Sequence, residues 1–174
     1  MRVLAVVAAA ASGLLLLGSR GLTAPVAVAH AGAVSAGVVQ GAVVTQGFGC
    51  TPFALEPAAP WCGTGHFHSG IDLAAPLGTP VFADADGVAT VIAGATGYGL
   101  HVILRHDLRT VTLYGHLSSV AVAEGDWLVA GQQVGSIGST GMSTGPHLHF
   151  EVRVDGRPVD PAAWLAAGPR GGGD

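Results

Sequence analysis

The sequence contains no lysine: all seven basic residues are arginine, charged residues make up only 10% of the 174, and the formal charge is −4. That balance excludes a basic surface for nucleic acid. Only two cysteines are present, Cys50 and Cys62, and their spacing matches no common zinc finger. No His-Glu-x-x-His stretch occurs, so the glutamate base of that metalloprotease type is absent. Beyond the N-terminal leader no apolar run reaches the ~20 residues of a membrane-spanning helix. No helical periodicity longer than a turn or two appears beyond residue 40, which excludes a helical bundle.

What is present begins with a leader. One arginine, Arg2, precedes an apolar run from Val3 to Leu17, and small residues follow in PVAVAHAGA. This three-part pattern is that of a secretory signal ending near Ala29 or Ala31. An uncleaved anchor is the competing reading; the run of 15 residues is short for a span. The expected organisation is a leader over 1–29, a linker over 30–40 (or a first strand there), a domain over 41–167 and a disordered tail over 168–174. In an exported chain, Cys50 and Cys62 point to a disulfide. It would close a 13-residue loop and stabilise the fold by about 3 kcal/mol.

The 28 glycines and short apolar runs spread along the chain predict strand after strand joined by tight turns. GAVVTQGFG reads as a strand entering a turn, and TPVFADADGVATVIAG as two strands hinged at Asp86-Gly87. HVILRHD and RTVTLYGHL pair about Asp107, with further turns at Glu124-Gly125, Ala130-Gly131 and Asp155-Gly156. DPAAWLAA predicts one or two helical turns, with Asp160 as N-cap and Pro161 first. The fold class is all-β, a single compact domain of antiparallel sheets.

Eight histidines stand out in a chain so poor in other charge. In GPHLHFEV, strand alternation puts His147, His149 and Glu151 on one face and Leu148, Phe150 and Val152 on the other. On this strand alone, a tolerated polar face explains the pair as well as a ligand pair does, and Glu151 reads equally as support or as surface. Upstream, HFHSGID places His68 and Asp72 four apart, and Gly70 lets the backbone turn so that both side chains converge. With His149 they make three ligands, the number catalytic zinc takes while leaving a fourth position to water. His66 is a rival donor. His106 reads as structural or as holding a neighbour by a hydrogen bond, His101 as packing, and His30 falls at the cleavage point. The polar loop GSTGMSTGP, holding Ser139, Thr140, Ser143 and Thr144, lacks the lysine and helix of a phosphate cradle and reads as a border of a groove.

In order, HSGID, YGHL and GPHLHFEV resemble the lysostaphin-like, or LytM-type, zinc endopeptidases that cut peptidoglycan. TQGFG, APLGTPVFADADGVAT and GDWLVAGQQVGSIGSTG extend the resemblance over about residues 41–163. It implies an antiparallel β domain with a narrow active-site groove and one Zn2+ per chain held by His68, Asp72 and His149. His116 and His147 match the two catalytic histidines. The implied substrate is the peptide of bacterial peptidoglycan, met outside the cytoplasm at the cell envelope. The expected state is a monomer, without nucleic acid and without lasting membrane association once the leader is cut. Two alternatives stay open at this point: a non-catalytic wall-binding or hydrolase-activating module of the same fold, and a zinc amidase.

Overall fold

In the computed structural model, residues 37–168 are described. The leader over 1–29, most of the 30–40 segment and nearly all of the 168–174 tail lie outside them. Thirteen strands follow one another: β1 (Val43–Gln46), β2 (Gly49–Thr51), β3 (His66–His68), β4 (Ile71–Ala74), β5 (Pro80–Phe82), β6 (Gly87–Ala93), β7 (Leu100–Arg105), β8 (Thr110–Gly115), β9 (Ser119–Val120), β10 (Trp127–Leu128), β11 (Gln133–Ser136), β12 (His147–Val154) and β13 (Arg157–Val159). One short helix closes the series among the described residues, α1 (Pro161–Ala166), with the Asp160 side chain accepting from Ala162 N and Pro161 in the first turn, as the sequence predicts. Among the described residues no helix is long and apolar enough to cross a membrane.

The strands form an eight-stranded sheet in the order β1-β4-β12-β8-β7-β6-β10 with β13 beside β12, a three-stranded sheet β5-β11-β9, and the ribbon β2-β3. Every pairing is antiparallel. One face of the large sheet is apolar by alternation: Leu73, Leu148, Phe150, Val152, Val102, Leu104 and Tyr114 are buried there. Val81 and Val134 of the smaller sheet, with Leu117, Leu128 and Ile137, complete the same core. Val38 and Val39 also belong to it, at 2% and 4% exposure, and Val38 O accepts from Phe82 N. The end of the expected linker is therefore part of the domain, as coil rather than strand.

Most turns fall where the sequence puts them. The β7–β8 connection is held by Asp107 Oδ1, which accepts from Arg109 N and Thr110 N. The β12–β13 turn uses Asp155 and Gly156, both at positive φ. The expected hairpin at Asp86-Gly87 is a correction. β5 pairs with β11 and β6 with β7 and β10, so the chain passes from one sheet to another at this point. Asp86 is occupied as a strut: its Oδ1 accepts from Ala130 N and its carbonyl from His106 Nδ1.

Candidate metal centre

Register assembles the site. In one row across four adjacent strands stand Gln46, Asp72, His149 and Gly115: Gln46 opposes Asp72, Asp72 opposes His149, and His149 opposes Gly115. Asp72 and His149 are thus a directly opposed cross-strand pair. His147 lies on the same face two residues earlier, opposite Ala74. His68 comes from the β2–β3 ribbon, where it opposes Gly49. Gly70 bridges ribbon and sheet, and the structure corrects the reason for it. A Cβ there would stand 2.4 Å from Phe150 O and 3.0 Å from Glu151 Cγ. The glycine is required by close approach to β12 rather than by the turn of the backbone read from the sequence.

His68, Asp72 and His149 offer three ligand atoms within 4.8 Å of one another. His68 Nε2 lies 3.2 Å from Asp72 Oδ1, His149 Nδ1 3.0 Å from the same oxygen, and the two ring nitrogens 3.0 Å apart. Proton placement makes this contact informative. His68 Nδ1 donates to Gly47 O at 2.9 Å, so its Nε2 carries a lone pair when the ring is neutral. His149 Nε2 donates to Glu151 Oε1 at 3.0 Å, so its Nδ1 carries a lone pair too. With both rings neutral, two nitrogen lone pairs and a carboxylate oxygen converge. A positive charge, whether a proton or a metal ion, reconciles them, and imidazole, imidazole and carboxylate are a zinc donor set.

Charge around the triad points the same way. Burial raises the Asp72 carboxyl, but its contacts with the His149 and His68 imidazoles win and hold it well below the usual carboxylate range. Burial lowers His149, yet its bonds to Asp72 and Glu151 carry it up to about 9. In the metal-free protein, a proton therefore takes the place of the positive charge this spot demands. Glu151 is fully buried, not at the surface. Its Oε1 accepts from Ser69 at 2.5 Å and Tyr98 at 2.6 Å, and its Oε2 from Arg153 at 2.6 Å. Burial opposes its ionisation, but the bonds from His149, Arg153, Ser69 and Tyr98 bring its pKa down to about 2. A carboxylate so held fixes the His149 tautomer and aims Nδ1 at the site.

His116 follows β8 at φ 62, a left-handed conformation uncommon for a side-chain-bearing residue. Its Nδ1 donates to Thr140 O at 2.8 Å, leaving Nε2 as acceptor. Burial lowers its pKa to about 4, against a smaller upward pull from the Thr140 carbonyl. The His147 ring lies 4.7 Å from it, with Nδ1 donating to Gly145 O at 2.8 Å and Nε2 3.7 Å from Asp72 Oδ1. All five histidine and aspartate positions singled out in the sequence meet in one place. His66 does not join them: its Nδ1 bonds Glu56 O. His106 holds Asp86 O and Thr112, and His101 holds Gly99 O, so both act in structure.

Asp72, His116, His147 and His149 floor a cavity of about 770 Å³, with His68 buried beneath it. One wall is the segment from Thr45 to Pro57; the other is Tyr98, His116 and the loop from Met142 to Pro146. The Cys50–Cys62 disulfide is present and closes the loop that forms much of the first wall. Sequence reasoning missed Tyr98 and Glu56. Tyr98 carries no local motif; its ring lies 5.3 Å from that of His149 while its hydroxyl is given to Glu151.

Comparison with known proteins accords with the geometry. Residues 66–161 match the model of peptidase family M23. A DD-carboxypeptidase/endopeptidase, Mpg, of Neisseria meningitidis serogroup B is 52% identical over 100 residues, 58% of this chain and 23% of that protein. The chain therefore spans about a quarter of that relative's length. Among solved structures, the catalytic domain of the antimicrobial peptidase lysostaphin from Staphylococcus simulans superposes with a TM-score of 0.61 at 35% identity, covering 72% of this chain and 92% of that one. A zinc-containing peptidase from Vibrio cholerae gives 0.61 at 36%, covering 71% and 37%. With the family model spanning more than half of the sequence and catalytic-domain structures sharing its fold, the chain belongs to peptidase family M23.

Proposed function

We propose that this chain is a zinc-dependent endopeptidase that hydrolyses peptide bonds of bacterial peptidoglycan outside the cytoplasm. One zinc ion would be held by His68, Asp72 and His149, with His116 and His147 as the catalytic pair. The observation that carries the reading is the convergence of two imidazole lone pairs and a carboxylate at 3.0–3.2 Å, beside two further imidazoles at the floor of an open cleft. A relative named for DD-carboxypeptidase and endopeptidase activity supports the substrate class. Export rests on the pattern of residues 1–29, which lie outside the described residues.

When bound, zinc supplies a Lewis acid that polarises a scissile carbonyl and acidifies water. The protein does the rest. Glu151 and Gly47 orient the two imidazole donors, and the row of opposed strands fixes Asp72 against His149. His147 takes the proton from the attacking water on Nε2, because Asp72 Oδ1 at 3.7 Å stabilises the resulting imidazolium. It then returns that proton to the leaving amine. His116, whose burial disfavours the charged ring, stays neutral and offers Nε2 as an acceptor that orients the water.

Purified wall sacculi and zinc content test this together. His149→Ala is expected to lose zinc and lytic activity in step. His147→Ala keeps one zinc per chain and loses activity by roughly 10²–10⁴-fold. Lysis retained by both variants sinks the assignment, and mass spectrometry of the fragments identifies the bond that is cut.

A further inference from the structure

The polar loop GSTGMSTGP runs from Gly138 to Pro146 between β11 and β12. Its start is pinned to its end, where His147 N donates to Gly138 O at 3.2 Å. Two of its carbonyls meet two imidazoles of the site. Thr140 O accepts from His116 Nδ1 at 2.8 Å, and Gly145 O accepts from His147 Nδ1 at 2.8 Å. A carbonyl can only accept, so each neutral ring carries its proton on Nδ1 and presents a bare Nε2. Hydroxyls of the same loop hold those carbonyls. Thr140 Oγ1 donates to Leu117 O at 2.9 Å and accepts from Leu100 N at 3.0 Å, and Ser143 Oγ donates to Gly145 O at 2.9 Å. Backbone packing holds the loop in place: a Cβ on Gly138 would collide with His116 O, and one on Gly141 with Gly97 O.

We propose that this loop sets the tautomer of both His116 and His147, and that Thr140 is the positioning residue for His116. His116 stands at φ 62, a backbone conformation that needs outside support. From the β6–β7 side, His116 N donates to Tyr98 O at 2.8 Å and Leu117 N to Leu100 O at 2.9 Å. Thr140 supplies the remaining restraint. Its hydroxyl ties the carbonyl of Leu117 to the amide of Leu100, and its own carbonyl takes the ring proton of His116. Without the hydroxyl, that carbonyl is free to turn away, and the ring is free to carry its proton on Nε2 instead. A proton there would bar His116 from accepting a bond from water, and on His147 it would bar the ring from taking a proton. Two carbonyls of one loop thus keep both acceptor nitrogens bare before substrate arrives. The segment that the sequence marks as a groove border therefore acts on the chemistry as well. This inference rests on the reading of His116 and His147 as the catalytic pair.

The full chain, loaded with zinc, is compared with Thr140→Val, which keeps the shape and drops the hydroxyl, and with Thr140→Ser, which keeps the hydroxyl. Turnover is read on soluble cross-linked wall peptides, zinc affinity by chelator competition, and ring tautomers by nitrogen-15 NMR of histidine-labelled protein above the range where imidazoles titrate. In the unsubstituted chain, both His116 and His147 are expected to carry the proton on Nδ1. Thr140→Val should hold one zinc per chain at unchanged affinity, show His116 as a mixture of tautomers, and lose about 10- to 100-fold in kcat with KM unchanged. Thr140→Ser should recover most of that kcat and the single tautomer. An Nε2-protonated His116 or His147 in the unsubstituted chain overturns the inference, whether or not the variants fold. Unchanged kcat in Thr140→Val, or zinc affinity and kcat falling together, overturns it too. An unsubstituted chain that cleaves no wall peptide, yet shows both rings protonated on Nδ1, overturns the proposed function and leaves the tautomer assignment standing.

Discussion

At the scale of single residues, the site is a problem of where protons sit. Gly47 O and Glu151 each claim one N–H, which turns a pair of histidines into a pair of lone pairs. Without metal, His149 answers by holding a proton with a pKa of about 9, above its ordinary ~6.5. Because that folded value is raised, the charged ring stabilises the metal-free protein fully below pH 6.5, and the contribution fades as pH rises through 9. Zinc needs the same nitrogen without its proton. Its apparent affinity should rise about tenfold per pH unit from pH 6.5 up to about 9 and flatten above. Chelator competition at four pH values checks this, and a flat profile would place the proton elsewhere.

At the scale of elements, much was legible and the failures are specific. Alternation along HLHFEV read correctly because β12 lies mid-sheet with one face in the core: Leu148, Phe150 and Val152 are fully buried. The Asp107 and Asp155-Gly156 turns carried their own chemistry in local side chains and positive φ. Asp86-Gly87 misled because turn residues report a change of direction and not which sheet the next strand joins. Glu151 was ambiguous because two of its partners, Ser69 and Tyr98, come from connections far away in sequence. Gly70 was noticed for the wrong reason, and that can be tested. Gly70→Ala must push β12 from β4 to relieve a 2.4 Å contact with Phe150 O, at a cost of about 1–3 kcal/mol in urea unfolding. The same shift parts Asp72 from His149 and weakens zinc binding. Gly63→Ala, with open space around its Cβ, should change stability by less than about 0.5 kcal/mol. Equal behaviour of the two would remove close approach as the role of Gly70.

At the scale of the whole domain, the proposed ion ties the β2–β3 ribbon to the large sheet. Asp72 and His149 stand on the eight-stranded sheet, whereas His68 stands on the two-stranded ribbon β2–β3. That ribbon carries the loop from Cys50 to Cys62 through Phe67 N to Pro57 O and His66 Nδ1 to Glu56 O. A two-stranded ribbon is marginal by itself, and this one is tied to the large sheet through the short links Gly47–Phe48 and Ser69–Gly70, the bond from Gln46 Nε2 to Glu56 Oε1 and the His68 side chain. Sequence could not show this, because strand pairing over some eighty residues leaves no local trace. Removing zinc should therefore loosen the molecule unevenly. The amides of Cys50, His66 and Phe67 should exchange with solvent markedly faster after chelation, while those of the β7–β8 hairpin, paired from Val102 to Arg105, keep their protection. Replacing both cysteines by serine should widen the contrast by freeing the loop's unfolded ensemble, with about 3 kcal/mol less restraint on it. Uniform acceleration across both regions on chelation would mean that the ion stabilises the domain only globally, and the picture of a metal cross-linking ribbon to sheet would fall.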